Sequence, residues 1–480
     1  MSLSTLDMII IGIYFVLIMY HGWWAGKKHQ GEEDYFLAGR CLPWYLIGLS
    51  LYASNMSGSS FIGLMGATYA NGMVVFNYEW TATLVLVIFA LFMLPTFLEH
   101  RIETIPAYLE KRFDRTTRLI FSGFTILAII FIDTAGALYA GGLVMTMLFP
   151  VLDLWQAVAV LGLVAGIYTL WGGLSAVVIT DAVQAVLLII AAIIVTWIGL
   201  DAVGGWDNVV KQIPESHTKL FHSSDSDFLP WHGIGGVILL GFYYWTLNQF
   251  IAQRTLGAKT LRDGQKGALF AGLLKMGNLF IMIVPGLVGL ALYPELASAD
   301  QVFPHMVNDM LPAGIKGIVL AGLIAAIMSS LDSALNAGAS LITLDYIKSF
   351  RGENMNYLKT GKWVTGILMV IAICYAPTIA QFETLFEYVQ SVLAYTVPTI
   401  IAVYFAGLFN PHVPTVVAKH TLWIGIGIGV AMFICIRLTS VWADAGLPDI
   451  HYTVMALLLF VVEMAFLWIS GLFTKRTVIA

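Results

Sequence analysis

Four ionisable residues lie inside apolar segments that are long enough to cross a membrane: Glu79, Asp133, Asp181 and Lys275. A fifth, Asp332, follows a serine pair in another such segment. A charge at bilayer depth costs about 3 kcal/mol or more, so these side chains normally face a cavity, a partner or an ion path. A chain that keeps several of them in different segments is predicted to move a polar species across the membrane.

The serine pair belongs to the segment AAIMSSLDSALNAGAS, which covers residues 325–340. Ala326, Ser329 and Ser330 are three and four residues apart and share one helix face. Two hydroxyls and a carbonyl freed by local distortion form a neutral hard-oxygen set, which suits a monovalent hard cation better than a transition metal. The alternative interpretation is that these small residues only allow close helix packing.

A second segment, LYASNMSGSSFIG at residues 51–63, has small and polar residues in the middle of an apolar span. Unpaired backbone at membrane depth is tolerated only where protein or a water-filled cavity surrounds it. The pattern predicts a broken helix that offers carbonyl oxygens to an ion. Close helix packing through small residues is again the alternative.

Two of these charged residues and one amide have aromatic or small neighbours: Glu79 in NYEW, Lys275 in GLLKMGN and Gln390 in FEYVQS. A carboxylate, an amide and an ammonium group beside aromatic rings are the groups that a sugar or polyol site needs. The alternative for Glu79 and Lys275 is a structural ion pair within the helix bundle.

The elements that position these residues are helices, since 59% of the residues are hydrophobic and 11% are charged. Apolar runs of about 20 residues recur along the chain, which predicts an all-α polytopic membrane protein. We place thirteen transmembrane helices, at residues 6–26, 43–70, 75–97, 119–149, 155–172, 174–202, 232–252, 267–293, 316–345, 363–384, 385–409, 421–440 and 449–472. The first of these is predicted to be a retained span and not a signal peptide.

The positive charges predict the orientation of these helices. Alternate connections hold 19 of the 24 Lys and Arg residues, among them the connection 253–266. By the positive-inside rule the N-terminus lies outside and the C-terminus lies in the cytoplasm. The three cysteines have no metal-like spacing, and neither HExxH nor GxSxG occurs in the sequence. Transport is therefore favoured over enzymatic activity, and no nucleic acid or soluble partner is implied.

Four separated motifs carry a resemblance to a known family: DYFLAGR at 34–40, LWGGLSAVVITDAVQ at 170–184, YYWTLNQFIAQRTLGAK at 243–259 and AAIMSSLDSALN at 325–336. Together they resemble the sodium/solute symporter family, and within it the bacterial sodium/sugar cotransporters. The resemblance implies a leucine-transporter-type fold of five-plus-five inverted repeats. It further implies one transporter domain over residues 1–480, with an extra N-terminal helix at 6–26, repeats at 43–202 and 232–409, and two C-terminal helices at 421–472.

The resemblance also implies roles for individual residues. Sodium would bind the carbonyls of Ala53, Met56 and Ala326 and the hydroxyls of Ser329 and Ser330. A possible second cation site would use Asp181, Asp332 and Ser333. The substrate would contact Asn55, Ser60, Tyr78, Glu79, Asp133, Lys275, Phe386 and Gln390. Tyr244 and Trp245 would form the intracellular gate.

Several positions depart from the sugar cotransporters, which have Gln, Ser and two Asn where this chain has Ser60, Ala82, Asp133 and Gly241. These departures remain compatible with a polyhydroxylated solute, but they disfavour galactose and glucose themselves. The expected function is sodium-coupled import of a small polar solute, a sugar or a sugar-like polyol, across the plasma or bacterial inner membrane. The alternative solutes are an amino acid, a carboxylate or a sialic-acid-like compound. Sodium is the coupling ion, and no organic cofactor is expected.

Overall fold

A computed structural model of the chain describes residues 3–26, 32–56, 58–149, 151–352, 355–381, 385–439, 441–448 and 450–473. Within these ranges the backbone is almost entirely helical, and two isolated bridges are the only β pairing. The predicted all-α class is therefore confirmed. The side chains of Ser60 and Phe386 are not among those described, so their predicted contacts with a substrate stay predictions.

The helices are numbered α1 to α23 along the chain. The first twelve are α1 Thr5–Gly26, α2 Glu32–Leu37, α3 Trp44–Asn55, α4 Gly58–Asn71, α5 Asn77–Ile88, α6 Leu94–Glu99, α7 Ala107–Arg112, α8 Arg115–Ala128, α9 Ala135–Leu148, α10 Leu154–Val203, α11 Trp206–Gln212 and α12 Ile234–Phe242. The others are α13 Gln249–Leu256, α14 Leu261–Asn278, α15 Val284–Leu292, α16 Val302–Met310, α17 Ile315–Ser340, α18 Ser349–Arg351, α19 Tyr357–Tyr375, α20 Leu385–Phe409, α21 Thr415–Phe433, α22 Val441–Asp444 and α23 Tyr452–Phe473.

Nine helical runs among the described residues are long and apolar enough to cross a membrane, and a tenth forms if the bent pair α12–α13 is counted as one span. Two shorter apolar helices, Thr5–Tyr20 and Leu154–Ile167, and the interrupted pair α3–α4 correspond to the remaining predicted spans. The thirteen spans predicted from hydropathy thus all correspond to helical structure. Helix α17 is the most deeply buried, whereas α21 and α23 expose most of their apolar side chains.

Two helix interruptions lie deep in the bundle. Helix α3 ends at Asn55, and Met56 leaves the helical conformation with φ −86° and ψ 69° before α4 begins at Gly58. The second interruption separates α12 and its π-helical extension Tyr243–Leu247 from α13, and the two axes meet at 50°. Asn248 is extended there and caps α13, since its Oδ1 accepts a hydrogen bond from the Phe250 amide at 3.0 Å.

These interruptions matter because an α-helix leaves its first amides and last carbonyls without intrahelical partners. The break after Asn55 presents the last carbonyls of α3 to the centre of the bundle. The break at Asn248 presents the first amides of α13 there. Both breaks face α17, which packs against α3, α10 and α13.

Candidate functional site

The two helices that carry the predicted sodium residues, α3 and α17, come into contact at Ser330. The Ser330 hydroxyl lies 3.2 Å from the carbonyl oxygen of Ser54 on α3 and 3.2 Å from that of Ala326 on its own helix. At the end of α3, the Met56 amide donates to the Ala53 carbonyl at 3.1 Å. One carbonyl oxygen from each helix therefore lies beside the Ser330 hydroxyl, and the one on α3 belongs to Ser54, which the sequence analysis did not name.

Ser329 makes a different contact from its neighbour. Its hydroxyl donates to Oδ1 of Asp181 on α10 at 2.6 Å, and both side chains are fully buried. The serine pair thus links α17 to α3 through Ser330 and to α10 through Ser329. A cation between these helices would find neutral oxygens on one side and a carboxylate on the other.

Two of the three residues predicted for a second cation, Asp181 and Ser333, contact a buried arginine. The guanidinium of Arg254, on α13, lies 3.2 Å from Oδ2 of Asp181. It also donates to the hydroxyls of Ser50, at 2.6 Å, and of Ser54 and Ser333. A fixed positive charge of the protein therefore occupies the space between Asp181 and Ser333.

Asp332 stands slightly apart from this cluster. Its Oδ1 accepts a hydrogen bond from the Ser333 hydroxyl at 3.2 Å, while its Oδ2 has no hydrogen-bond partner among the described residues. Near it on α10, the Gln184 amide donates to the hydroxyl of Tyr14 at 2.8 Å. Among the contacts described, Asp332 reaches Asp181 through Ser333, by way of either Arg254 or Ser54.

The predicted substrate residues Glu79, Lys275 and Asn55 form one buried polar cluster. The Lys275 ammonium forms an ion pair with Oε2 of Glu79 and donates to Oδ1 of Asn55 at 2.6 Å. It also lies 5.6 Å from the ring centre of Trp245. The ion pair that the sequence left as an alternative is thus present, next to an aromatic face.

Asn278 completes this cluster. Its amide donates to the same Glu79 oxygen, and its Oδ1 accepts from the hydroxyl of Tyr52 at 2.7 Å. Because Asn278 lies three residues after Lys275 on α14, the two side chains share one helix face. That spacing was readable in the sequence, and it would have identified Asn278.

The two predicted gate residues adjoin the cluster. The rings of Tyr244 and Trp245 meet edge to face at 5.5 Å, and the Tyr244 hydroxyl lies within hydrogen-bonding reach of the Asn55 side chain. Tyr244 is half-buried, and Trp245 is buried. Both belong to the π-helical segment that precedes the break at Asn248.

Two other residues that are predicted to bind the substrate have contact partners outside the Glu79–Lys275 ion pair. Oδ2 of Asp133 faces the amide of Asn248, the residue that caps α13, at 3.5 Å. Tyr78 points to the C-terminal helix α23, where its hydroxyl lies 3.0 Å from that of Tyr452. Gln390 is half-buried on α20. The contacts described do not join Tyr78 or Gln390 to the Glu79 cluster.

Arg254 is the main residue that the sequence analysis missed. It was counted among the cations of a cytoplasmic connection, together with Lys259, Arg262 and Lys266. In the structure it is fully buried, and it is the largest of the fully buried side chains that are described. The count of connecting charges is corrected accordingly: α13 belongs to the broken helix, and its arginine points inward.

Comparison with known proteins gives a consistent result. The model of the sodium:solute symporter family matches residues 35–425. The sodium/glucose cotransporter of Vibrio parahaemolyticus is 32% identical, over 98% of this chain and 91% of its own length.

Two solved structures are similar in fold. A sodium-coupled sialic acid symporter, in a substrate-bound outward-open state, superposes with a TM-score of 0.83 at 19% identity over 99% of both chains. Mhp1, a nucleobase-cation-symport-1 family transporter, superposes with a TM-score of 0.61 at 14% identity, over 92% of this chain and 96% of its own. The leucine-transporter-type fold predicted above is confirmed by these similarities.

Proposed function

Because the chain belongs to the sodium:solute symporter family, we propose that its sodium-coupled transport serves the import of a small polyhydroxylated solute, a sugar or a sugar-like polyol. The observation that carries this proposal is the buried cluster of Glu79, Lys275, Asn55 and Asn278 beside the Trp245 ring. A site with both hydrogen-bond donors and acceptors next to an aromatic face suits a solute with several hydroxyls and an apolar ring face.

The ion pair itself favours a solute without net charge. Glu79 and Lys275 offset each other's charge, so a neutral solute can bind without leaving an uncompensated charge in the bundle. Each hydroxyl can donate to the carboxylate and accept from the ammonium group. An amino acid, a carboxylate or a sialic-acid-like compound is the alternative that the experiment below tests.

For the coupling ion, the proposed site consists of the carbonyls of Ala53, Met56 and Ala326 and the hydroxyls of Ser329 and Ser330. Its support is the convergence of α3 and α17 around Ser330, which bonds to one carbonyl on each helix. Binding there would pull the end of α3 against α17. Since α3 also carries Asn55 of the solute cluster, sodium occupancy and solute affinity would be linked through one short helix.

Tyr244 and Trp245 are proposed to close the solute cluster on its cytoplasmic side. Their segment precedes the break at Asn248, so a change of angle between α12 and α13 would move both rings. Contact of Tyr244 with Asn55 would then depend on whether that end of α3 is engaged with α17.

For the arrangement in the membrane, we propose a plasma or bacterial inner membrane with the N-terminus outside and the C-terminus in the cytoplasm. The repeats are proposed at residues 43–202 and 232–409. Support for the repeats comes from the two interruptions, because the first predicted span of each repeat is the broken one: α3–α4 and α12–α13. Paired broken helices in corresponding positions are the usual mark of a transporter built from inverted repeats.

The test is uptake of labelled solutes into proteoliposomes, with and without an inward sodium gradient. The panel contains hexoses, pentoses, polyols, sialic acid and amino acids. We expect sodium-dependent accumulation of a neutral sugar or polyol, and loss of it in Glu79→Gln. Ser470→Ala on α23 is the matched control, since that residue lies on the outermost helix. Accumulation of an amino acid or of sialic acid alone would contradict the proposal for the solute.

A further inference from the structure

The C-terminal half of α17, from the serine pair onward, carries a continuous polar face. Ser329, Ser333, Asn336 and Ser340 follow one another at intervals of three or four residues, so they lie within an arc of about 60° on the helix. Asp332 borders this face. Thr343 follows in the π-helical continuation Leu341–Lys348. Every one of these side chains is buried, which is an unusual position for so many polar groups.

The opposite face of the same helix is closely packed and apolar. Gly338 lies there, where a methyl group would come within 2.9 Å of Leu368 and 3.4 Å of Ile129. The polar face therefore lies on the side of α17 away from α19 and from the π-helical segment Ile129–Thr134 that follows α8. The N-terminal end of this face contacts α10 and α13, because Ser329 bonds to Asp181 and Ser333 bonds to Arg254.

Most of this face has no protein partner among the described residues. Oδ2 of Asp332, both polar atoms of the Asn336 amide, the Ser340 hydroxyl and the Thr343 hydroxyl are all buried without a hydrogen bond to the described part of the chain. Buried polar groups in folded proteins are almost always paired, with the protein, with ordered water or with an ion. Five unpaired atoms in one row on one helix therefore indicate a row of positions for water or a hydrated ion.

The lower end of the row reaches the protein surface. Asp345, two residues after Thr343, accepts hydrogen bonds from Arg118 and from the Thr104 hydroxyl, each at 2.6 Å. Arg118 lines a surface cavity together with Glu103, Glu110 and Lys348. On the orientation proposed above, this cavity opens to the cytoplasm.

We propose that the polar face Asn336–Ser340–Thr343 of α17, bordered by Asp332, is the hydrated route by which sodium leaves the Ser329–Ser330 site toward the cytoplasm. Hydroxyl and amide oxygens can replace the water around the ion one position at a time. These oxygens are neutral, and each turn of the helix offers only one or two of them. They therefore bind the ion weakly enough to release it. The Arg118–Asp345 pair lies across the lower end, so it would have to separate or shift when the ion leaves.

This proposal rests on the sodium site of the proposed function, and in addition it requires that water reaches the polar face of α17. It is tested by thiol accessibility in a background where Cys41, Cys374 and Cys435 are changed to Ser. Asn336→Cys and Ser340→Cys report on the polar face. Ala334→Cys is the matched control, since Ala334 is equally buried on the packed side of α17.

A small, membrane-impermeant cationic methanethiosulfonate is applied to right-side-out and inside-out vesicles, and labelling is read as a mass shift. We expect Asn336→Cys and Ser340→Cys to react at least tenfold faster than Ala334→Cys, from the cytoplasmic side, and to be slowed by sodium. Equal rates for the three variants, labelling only from the outside, or no effect of sodium would each overturn the proposal. The mass readout does not depend on the identity of the solute, so a wrong solute leaves this test intact.

A second measurement covers the case in which a cysteine variant does not fold. Asn336→Leu keeps nearly the same side-chain volume and removes both polar atoms. We expect release of radioactive sodium from the purified protein toward the cytoplasmic side to slow at least tenfold, with equilibrium sodium affinity changed less than threefold. Unchanged release in that variant would overturn the proposal.

Discussion

The guanidinium of Arg254 lies 3.2 Å from the carboxylate of Asp181, and neither side chain reaches solvent. The same guanidinium donates to Ser50 and Ser54 on α3 and to Ser333 on α17. One side chain of α13 therefore links α10 to α3 and α17, the two helices that carry the proposed sodium site. The charge of Asp181 is balanced by the protein itself.

This pair bears on the number of ions carried in each cycle. With Arg254 against Asp181 and Ser333, we expect one sodium per solute, measured as the reversal potential in proteoliposomes. One sodium crossing about 100 mV yields about 2.3 kcal/mol, and a tenfold gradient adds about 1.4 kcal/mol. Together these support a solute gradient of several hundredfold. Asp332→Ser should leave the ratio at one, and a measured ratio of two would instead favour the second cation site.

Separating the Arg254–Asp181 pair should be costly to stability. A single change, Arg254→Gln or Asp181→Asn, leaves one buried charge without its partner, and we expect the free energy of unfolding to fall by about 3–5 kcal/mol. The double variant should lose clearly less than the sum of the two. Thermal unfolding in detergent, arranged as a double-mutant cycle, measures this difference. Additive losses would show that the two side chains do not depend on each other.

The two serines should both be required for sodium coupling, for different reasons. Ser330→Ala removes the hydroxyl that bonds to the Ser54 and Ala326 carbonyls, and Ser329→Ala removes the one that bonds to Asp181. We expect the sodium concentration for half-maximal uptake to rise at least tenfold in each variant. The double variant should lose accumulation while still inserting into the membrane. Normal sodium stimulation in the double variant would remove these residues from the ion site.

Changes in the polar cluster should alter solute affinity more than sodium affinity. Asn278→Ala leaves Glu79 without one hydrogen bond, and Glu79→Ala leaves Lys275 without its counter-ion. We expect each to cost about 1–3 kcal/mol of solute binding, or roughly a five- to hundredfold rise in the apparent solute constant. The sodium constant should change less than threefold. If the change raises only the sodium concentration for half-maximal uptake, Glu79 belongs to the ion path.

The Tyr244 ring should matter more than its hydroxyl. Tyr244→Phe keeps the edge-to-face contact with Trp245 and loses only the polar contact with Asn55, so accumulation should remain within about threefold of the wild type. Tyr244→Ala removes the ring that is proposed to close the cluster, and exchange or leak should replace accumulation. The two variants are compared by the steady-state solute gradient, and equal gradients would exclude a gate at this position.

The sequence predicted features that depend on the spacing of residues close together in the chain. Ser329 and Ser330 were found because neighbouring hydroxyls in an apolar helix are visible in the sequence. The interruption after Asn55 was found from small polar residues within a span. Lys275 and Glu79 were each found as charges at membrane depth, and their pairing was one of two readings.

Contacts between distant parts of the chain were not found in this way. Arg254 lies in a stretch rich in cations, and charge counting assigns such a stretch to a connection. Only the packing of α13 against α3 and α17, and the pairing of Arg254 with Asp181 on α10, show that this arginine faces inward. The pairing of Tyr78 with Tyr452 joins residues 374 positions apart, and no local pattern carries that information.

On the function proposed above, the break at Asn248 would favour uncharged solutes over anionic ones. The first turn of α13 carries a partial positive charge, which would attract an acidic group of an incoming molecule. Here the chain supplies that acidic group itself, since Asp133 faces Asn248, the residue that caps α13, at 3.5 Å. An anionic molecule would meet like-charge repulsion at this point, whereas a neutral one would meet an additional hydrogen-bond acceptor. We therefore expect that replacing Asp133 with Asn extends the range of accepted molecules toward acids.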